Sequence, residues 1–432
     1  MSALCGVVLA GSAATPASAD SVRERQWHLD AMRADQMWKT STGKGVTVAV
    51  VDSGVDSSLP DLRGQVLSGK DYSKRRGGEH TDYDGHGTGM AVLIAGTGAR
   101  GAESGSYGLA PGAKILPIRV PDFNEWSRKN GNPDDYPTYV AKAIRYAADS
   151  DAQVINVSLG GSEHSKMLDD AVAYALSKNK LVFAGVGNTG SGSNRPQYPA
   201  ATPGVVGVGA IGKNLKKTAE SQHGPQVDLV APGADMVAAC LSSTSRVCRS
   251  SGTSDASAIA SASAALIWSK HPKWTNNQVL RVMLNTASGP VSGKERTDDI
   301  GYGAVRPRIA LTSPGDPGAA DTYPLPDYKD GASTASGSAS APSTNSSAPP
   351  AAASSGNGAS ALPWILTGVG ALALAGGGVL VVRSRRRRRT ALLAPAPSTT
   401  QQSWAQSPHA GHTPGGQGRP WPYQDTNHTG RP

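Results

Sequence analysis

Phenylalanine is nearly missing from this chain: two occur in 432 residues, and aromatic residues together make up 5%. A core of stacked rings is therefore excluded, and Val, Ile, Leu and Ala have to fill the interior. Cysteine is almost as scarce, with three. At most one bridge can form within the chain. Cys5 lies in an extreme N-terminal apolar segment, which leaves Cys240 and Cys248, separated by LSSTSRV. In an oxidising compartment these two would form a local disulfide, and otherwise they would be free thiols. Internal repeats are absent, which excludes a solenoid. A net basic charge is missing from most of the protein. The net charge is +9, but eight Arg and one acid lie from Arg383 onward. The remainder is nearly neutral and offers no basic face for nucleic acid. Glycine (52) and proline (30) are abundant, so many tight turns are expected.

The first residues, SALCGVVLAGSAATPASA, form an apolar run ending in A-x-A at Ala17 to Ala19. This reads as a secretory signal over residues 1–19, cleaved before Asp20, although its start carries no Lys or Arg. Leu362 to Val382 is 21 residues without charge, followed by Arg383 and the run Arg385 to Arg389. That length spans a bilayer as a helix, and the arginines hold the following end in the cytoplasm. The expected order is a signal at 1–19, an N-terminal extension at 20–36 and a globular domain at 37–312. A flexible Ser/Ala/Pro linker follows at 313–361, then a single transmembrane helix at 362–382 and a cytoplasmic disordered tail at 383–432. The large domain would lie outside the cytoplasm, on a cell membrane.

Within the globular region, β-branched apolar runs occupy 46–51, 113–120, 152–159, 180–187, 204–211 and 227–232. Such runs suit strands buried on both faces of a parallel sheet. Helical patterns lie between or after them, at 139–149, 167–179 and 276–287. Alternating strand and helix predict an α/β fold with a parallel sheet flanked by helices.

Three stretches set one reactive side chain among small residues: Asp52 in VAVVDSGVD, His86 in DGHGTGMA and Ser254 in SGTSDASA. An acid, an imidazole and a hydroxyl are the parts that turn an alcohol into a nucleophile at neutral pH. Asp52 ends a buried strand, where a carboxylate can accept an imidazole N–H and fix its tautomer. His86 begins an apolar helical run and can act as general base, then as general acid. Ser254 begins a run of small residues read as a buried helix, so its own N–H can face an oxyanion. Asn188, in FAGVGNTG, can supply a second oxyanion donor. Each taken alone has a plainer reading: a turn cap for Asp52, a core histidine for His86, a helix cap for Ser254 and a turn residue for Asn188. Their joint occurrence carries the catalytic reading.

The order Asp, His, Ser resembles the subtilisin-like serine proteases. The resemblance runs from about Gln26 to Leu311, through QWHLDAMRADQMWKTSTGKGVTVAVVDSGVD, NVSLGG, YPAATPGVVGVGA, VDLVAPG and IGYGAVRPRIAL. It implies a subtilisin-like fold and a polypeptide substrate lying in a cleft. Ser158, Leu159 and Gly160 would form one wall, and Gly185, Val186 and Gly187 the other. The whole layout is similar to the mycosins, membrane-anchored proteases of type VII secretion systems, and implies a type VII secretion membrane complex as partner. Cys240 and Cys248 fit a mycosin-type loop disulfide. Two residues depart from the family: Asp255 stands where an apolar residue is usual, and Ala258 where proline is. No cofactor or metal is expected, NGNPDDY (130–136) being the one acidic loop that suggests calcium. The function expected is a membrane-anchored extracytoplasmic serine endopeptidase. The alternatives are a structural subunit of a secretion complex with dispensable proteolysis, and a maturation protease for an exported peptide.

Overall fold

Each apolar run becomes a strand because its side chains have apolar partners on both faces. The computed structural model describes residues 20–121, 136–241 and 246–328. Seven strands form one sheet: β1 (Thr47–Asp52), β2 (Lys70–Asp71), β3 (Lys114–Arg119), β4 (Val154–Val157), β5 (Leu181–Gly185), β6 (Val206–Ile211) and β7 (Leu229–Pro232). Their order is β2-β3-β1-β4-β5-β6-β7, with every pairing parallel. Val48, Val50, Val154, Ile155, Val182 and Phe183 are buried. Fully burying such a side chain contributes roughly 1.5–3 kcal/mol. Two further strands, β8 (Met236–Leu241) and β9 (Arg246–Ser250), form an antiparallel hairpin that the hydrophobic pattern did not suggest.

Three short N-terminal helices, α1 (Val22–Arg25), α2 (Trp27–Met32) and α3 (Ala34–Trp38), cover what was read as an extension. They dock by side chain and backbone. Trp27 Nε1 donates to Ala234 O at 2.9 Å, and Val22 N donates to Glu103 O at 2.8 Å. The longer helices are α4 (His86–Ala95), α5 (Tyr136–Ala148), α6 (Lys166–Ser177), α7 (Thr253–Lys270) and α8 (Asn276–Asn285), with a short α9 (Pro307–Thr312). α5 packs on α6, while α4 packs on α7, and α7 crosses β1 and β4 to β7. Its residues Ala256, Ala258, Ala260, Ser261, Ala262 and Ala264 are buried. Small side chains let this 18-residue helix lie close against the sheet.

Residues 313–328, read as the start of the linker, pack on the domain. Tyr323 and Leu325 are buried, and Tyr323 Oη donates to Gly204 O at 2.7 Å. The expected signal (1–19), most of the linker, the transmembrane segment (362–382) and the tail lie outside the described residues. Among the described residues no helix is long and apolar enough to cross a membrane.

Candidate active site

β1 sits between β3 and β4, so the strand order reverses beside it. Open parallel sheets form a crevice at such a reversal, beyond the carboxyl ends of the strands. Asp52 is the last residue of β1 and is fully buried. Its Oδ1 accepts from Ser53 N at 2.8 Å, Ser53 Oγ at 3.2 Å and His86 Nδ1 at 2.8 Å. Its Oδ2 is buried without a hydrogen-bond partner among the described residues.

His86 opens α4, and the turn before it explains the glycines around it. Gly85 takes φ 86°, a left-handed conformation that glycine adopts without strain. A Cβ on Gly87 would lie 2.9 Å from Asp52 Cβ and 2.2 Å from Gly54 O. Glycine there lets the helix start press onto β1. Gly85 has no side chain to cap the helix, and Asp82 caps it instead. Its Oδ2 accepts from Thr88 N at 2.8 Å and Thr88 Oγ1 at 2.6 Å, while Oδ1 accepts from Gly85 N at 2.8 Å and Ser53 Oγ at 3.0 Å. The His86 ring thus stands where Asp52 orients it, with its side chain 32% exposed. Burial alone would pull the imidazole down. The charge and hydrogen bond of Asp52, with added negative charge from Asp255 and Asp84, outweigh burial and push His86 up to about 10.

Ser254 lies in the first turn of α7, just past Gly252. Its Oγ donates to Ser158 O at 2.9 Å, and Ser158 Oγ donates to Ser254 O at 3.1 Å. The serine is therefore tied to Ser158, expected on one cleft wall, and its hydroxyl is turned to that carbonyl rather than to His86. Asn188 follows β5. Its Oδ1 accepts from Thr253 N at 2.9 Å and Thr253 Oγ1 at 3.2 Å, which fixes the amide orientation. The exposed side chain keeps its NH₂ free of hydrogen bonds among the described residues, beside the start of α7. Among the described residues, Leu159 and Gly160 keep their backbone groups unpaired before the Gly161–Tyr198 bridge begins. An extended peptide can pair there as an added strand. On the expected opposite wall, Gly187 takes φ 107° and donates its N–H to Thr253 Oγ1 at 3.1 Å, while Val186 N donates to Val208 O at 3.1 Å. A Cβ on Gly185 would meet Thr253 backbone at 2.7 Å, so this glycine admits α7 closely, whereas a Cβ on Gly187 would meet Gln197 and Gln222.

Asp255 is buried, with Ser250 Oγ donating to its Oδ1. Burial pushes its carboxyl up to about 6, against the Ser250 hydrogen bond and the nearby His86. Ala258 leaves α7 unbroken to Lys270. A disulfide joins Cys240 and Cys248 across the β8–β9 hairpin, beside a register shift between Ala239 and Leu241. Residues 130–135 of the acidic loop lie outside the described residues. Among the described residues, no group of three or more His, Cys, Asp and Glu is arranged to hold a metal ion.

Several supporting residues carry no obvious sequence signal. Asn156 is buried within β4 and donates to Ser158 Oγ at 2.8 Å. Its Oδ1 accepts from Ser257 Oγ at 2.8 Å and Ser261 Oγ at 3.1 Å. The serines recur four apart on α7, a spacing that places them on one helix face. That repeat, opposite an asparagine in an apolar strand, was the available clue.

The Subtilase family model matches residues 43–311. The thermophilic serine proteinase of Bacillus sp. (strain AK1) is 36% identical over 260 residues, which are 60% of this chain and 60% of that one. Thermitase of Thermoactinomyces vulgaris is 34% identical over 269 residues, 62% of this chain and 90% of its own. Among solved structures, MycP1 from Mycobacterium smegmatis is similar with a TM-score of 0.61 and 26% identity, covering 73% of this chain and 91% of that one. MycP3, a protease from the type VII (ESX-3) secretion system, gives a TM-score of 0.57 and 30% identity, with coverage of 69% and 90%.

Proposed function

Because the chain belongs to the subtilase family, we propose that it is a serine endopeptidase in which Ser254 is the nucleophile, His86 the general base and Asp52 the group that orients it. The observation that carries this reading is the 2.8 Å bond from His86 Nδ1 to Asp52 Oδ1, which leaves Nε2 for the serine proton. The serine hydroxyl leaves the Ser158 carbonyl by rotation about its Cα–Cβ bond and donates to His86 Nε2. Attack on a peptide carbonyl then generates an oxyanion. The Ser254 N–H and the Asn188 amide are the donors that stabilise it. His86 passes the proton to the leaving amine, and water completes hydrolysis of the acyl-enzyme.

The wider proposal is that the domain is exported, carries the Cys240–Cys248 disulfide and is anchored by 362–382 beside a type VII secretion membrane complex. The likeness to MycP1 and MycP3 supports that setting. A structural role within such a complex is a second reading. It is favoured by the engagement of the Ser254 hydroxyl with Ser158 O and by the buried acid at Asp255.

A fluorophosphonate tests the catalytic reading. It should label the folded wild-type protein at Ser254, and Ser254→Ala should lose both labelling and peptide hydrolysis. Activity that survives Ser254→Ala, or a folded wild type that resists the label, would overturn it.

A further inference from the structure

A second buried carboxylate lies close to Asp52, and one hydroxyl stands between the two. Ser53 Oγ is 3.2 Å from Asp52 Oδ1 and 3.0 Å from Asp82 Oδ1, and it accepts from Gly87 N at 3.0 Å. A serine hydroxyl carries one proton, so it donates fully to only one of these carboxylates. Asp52 Oδ1 already accepts two bonds at 2.8 Å, from Ser53 N and His86 Nδ1. Asp82 Oδ1 accepts one at 2.8 Å from Gly85 N and a longer one at 3.1 Å from Asp84 N. Asp82 is therefore the nearer and less committed acceptor.

Asp82 is itself held in place. Its Oδ2 accepts from both Thr88 N and Thr88 Oγ1, and Thr88 Oγ1 in turn accepts from Asp56 N at 2.9 Å. Ser53 and Asp82 are both buried. One carboxylate thus joins the end of β1, which carries Asp52, to the start of α4, which carries His86. A hydrogen bond from Ser53 to Asp52 Oδ1 would compete with the imidazole for that oxygen and weaken its pull on a proton. The charges that act on His86 are Asp52 on β1, Asp84 in the turn before α4 and Asp255 on α7. Arg119 of β3 reaches the same turn, where its Nε donates to Ser53 O at 3.1 Å.

We propose that Asp82 is a positioning residue of this peptidase: it holds the Ser53 proton away from Asp52, so that Asp52 Oδ1 is left to the His86 ring. Its role in catalysis rests on the peptidase reading. The test follows the His86 imidazole by NMR across pH, beside the rising limb of kcat/KM, in the wild type, Ser53→Ala, Asp82→Asn and the double variant. Asp82→Asn turns the Ser53 hydroxyl to Asp52 and also removes a neighbouring charge. It should lower the His86 midpoint by about one pH unit, the scale of one hydrogen bond to a charged group. In the Ser53→Ala background only the charge effect remains, so the same substitution should shift the midpoint much less. Equal shifts in the two backgrounds would overturn the proposal, because Asp82 would then act without the hydroxyl. Where Asp82→Asn does not fold, Ser53→Ala alone decides. It should leave the His86 midpoint in place, whereas a rise would show that Ser53 donates to Asp52 and would overturn the proposal. A folded wild type that resists the fluorophosphonate and cleaves no peptide removes the peptidase reading, while the His86 titration still decides the link through Ser53.

Discussion

In the proposed mechanism His86 sets the pH behaviour of the site, and the nearby buried acid is Asp255. His86 must be neutral to take a proton, and the carboxylates around it hold it up to about 10. Activity should therefore rise with pH through the alkaline range. Asp255 contributes to that shift, so Asp255→Asn should lower the His86 value and move the rising limb of kcat/KM toward neutrality. An unshifted limb in the folded variant would show that the Asp255 charge does not reach the imidazole. Stability follows the same two groups, and since both are raised on folding, both contributions fall as pH rises. The raised His86 stabilises the fold fully below its unfolded value near 6.5, and that contribution is lost as pH rises through about 10. Asp255 is raised by burial, so the folded state prefers its protonated form. Its contribution falls as pH rises from 3.8 through about 6.

At the scale of elements, the cleft depends on how β4 meets α7. Asn156 holds Ser158 of the wall with its amide and Ser257 and Ser261 of the helix with its carbonyl. Asn156→Ala strands these hydroxyls in a dry interior and should cost about 2–3 kcal/mol, read as a lower denaturation midpoint. A loss under about 0.5 kcal/mol, less than one net hydrogen bond, would mean the serines turn to their own helix carbonyls, as Ser263 does to Ile259 O at 2.8 Å. The strands themselves were legible, because a strand buried on both faces writes an unbroken β-branched run, as VTVAVV does. Asp52, His86, Ser254 and Asn188 were legible because glycine or small residues mark the tight strand ends and helix starts that hold them. The rest was not. Asn156 hides inside an apolar run, Asp82 caps a helix from outside it, and Gln197 and Gln222 meet at Gly187 only after folding. The rotation of the Ser254 hydroxyl toward Ser158 is a torsion, which sequence does not record.

For the whole molecule, the question is where the folded domain stops. Composition placed the boundary at residue 312, where Ser, Ala and Pro begin to dominate. The physical boundary among the described residues lies later. Arg281 Nη1 donates to Pro317 O and Ala319 O, both at 2.8 Å, and holds the returning segment against α8. Tyr323 and Leu325 then fill buried positions. Each such side chain contributes roughly 1.5–3 kcal/mol, so a chain ending at Thr312 should melt on the order of 5–15 °C below one ending at Tyr328. Both should be soluble, since neither contains 362–382. The chain ending at Tyr328 should keep the peptidase activity of the full-length protein, because every element of the site precedes that point. Equal melting temperatures would show that 313–328 adds nothing to the domain. The same chain separates catalysis from anchoring. If the protein serves a secretion complex mainly by its presence in the membrane, full-length Ser254→Ala should restore secretion in a deletion strain. The soluble active chain should then fail. Rescue by the soluble chain and none by the anchored inactive one would rule out an essential structural role.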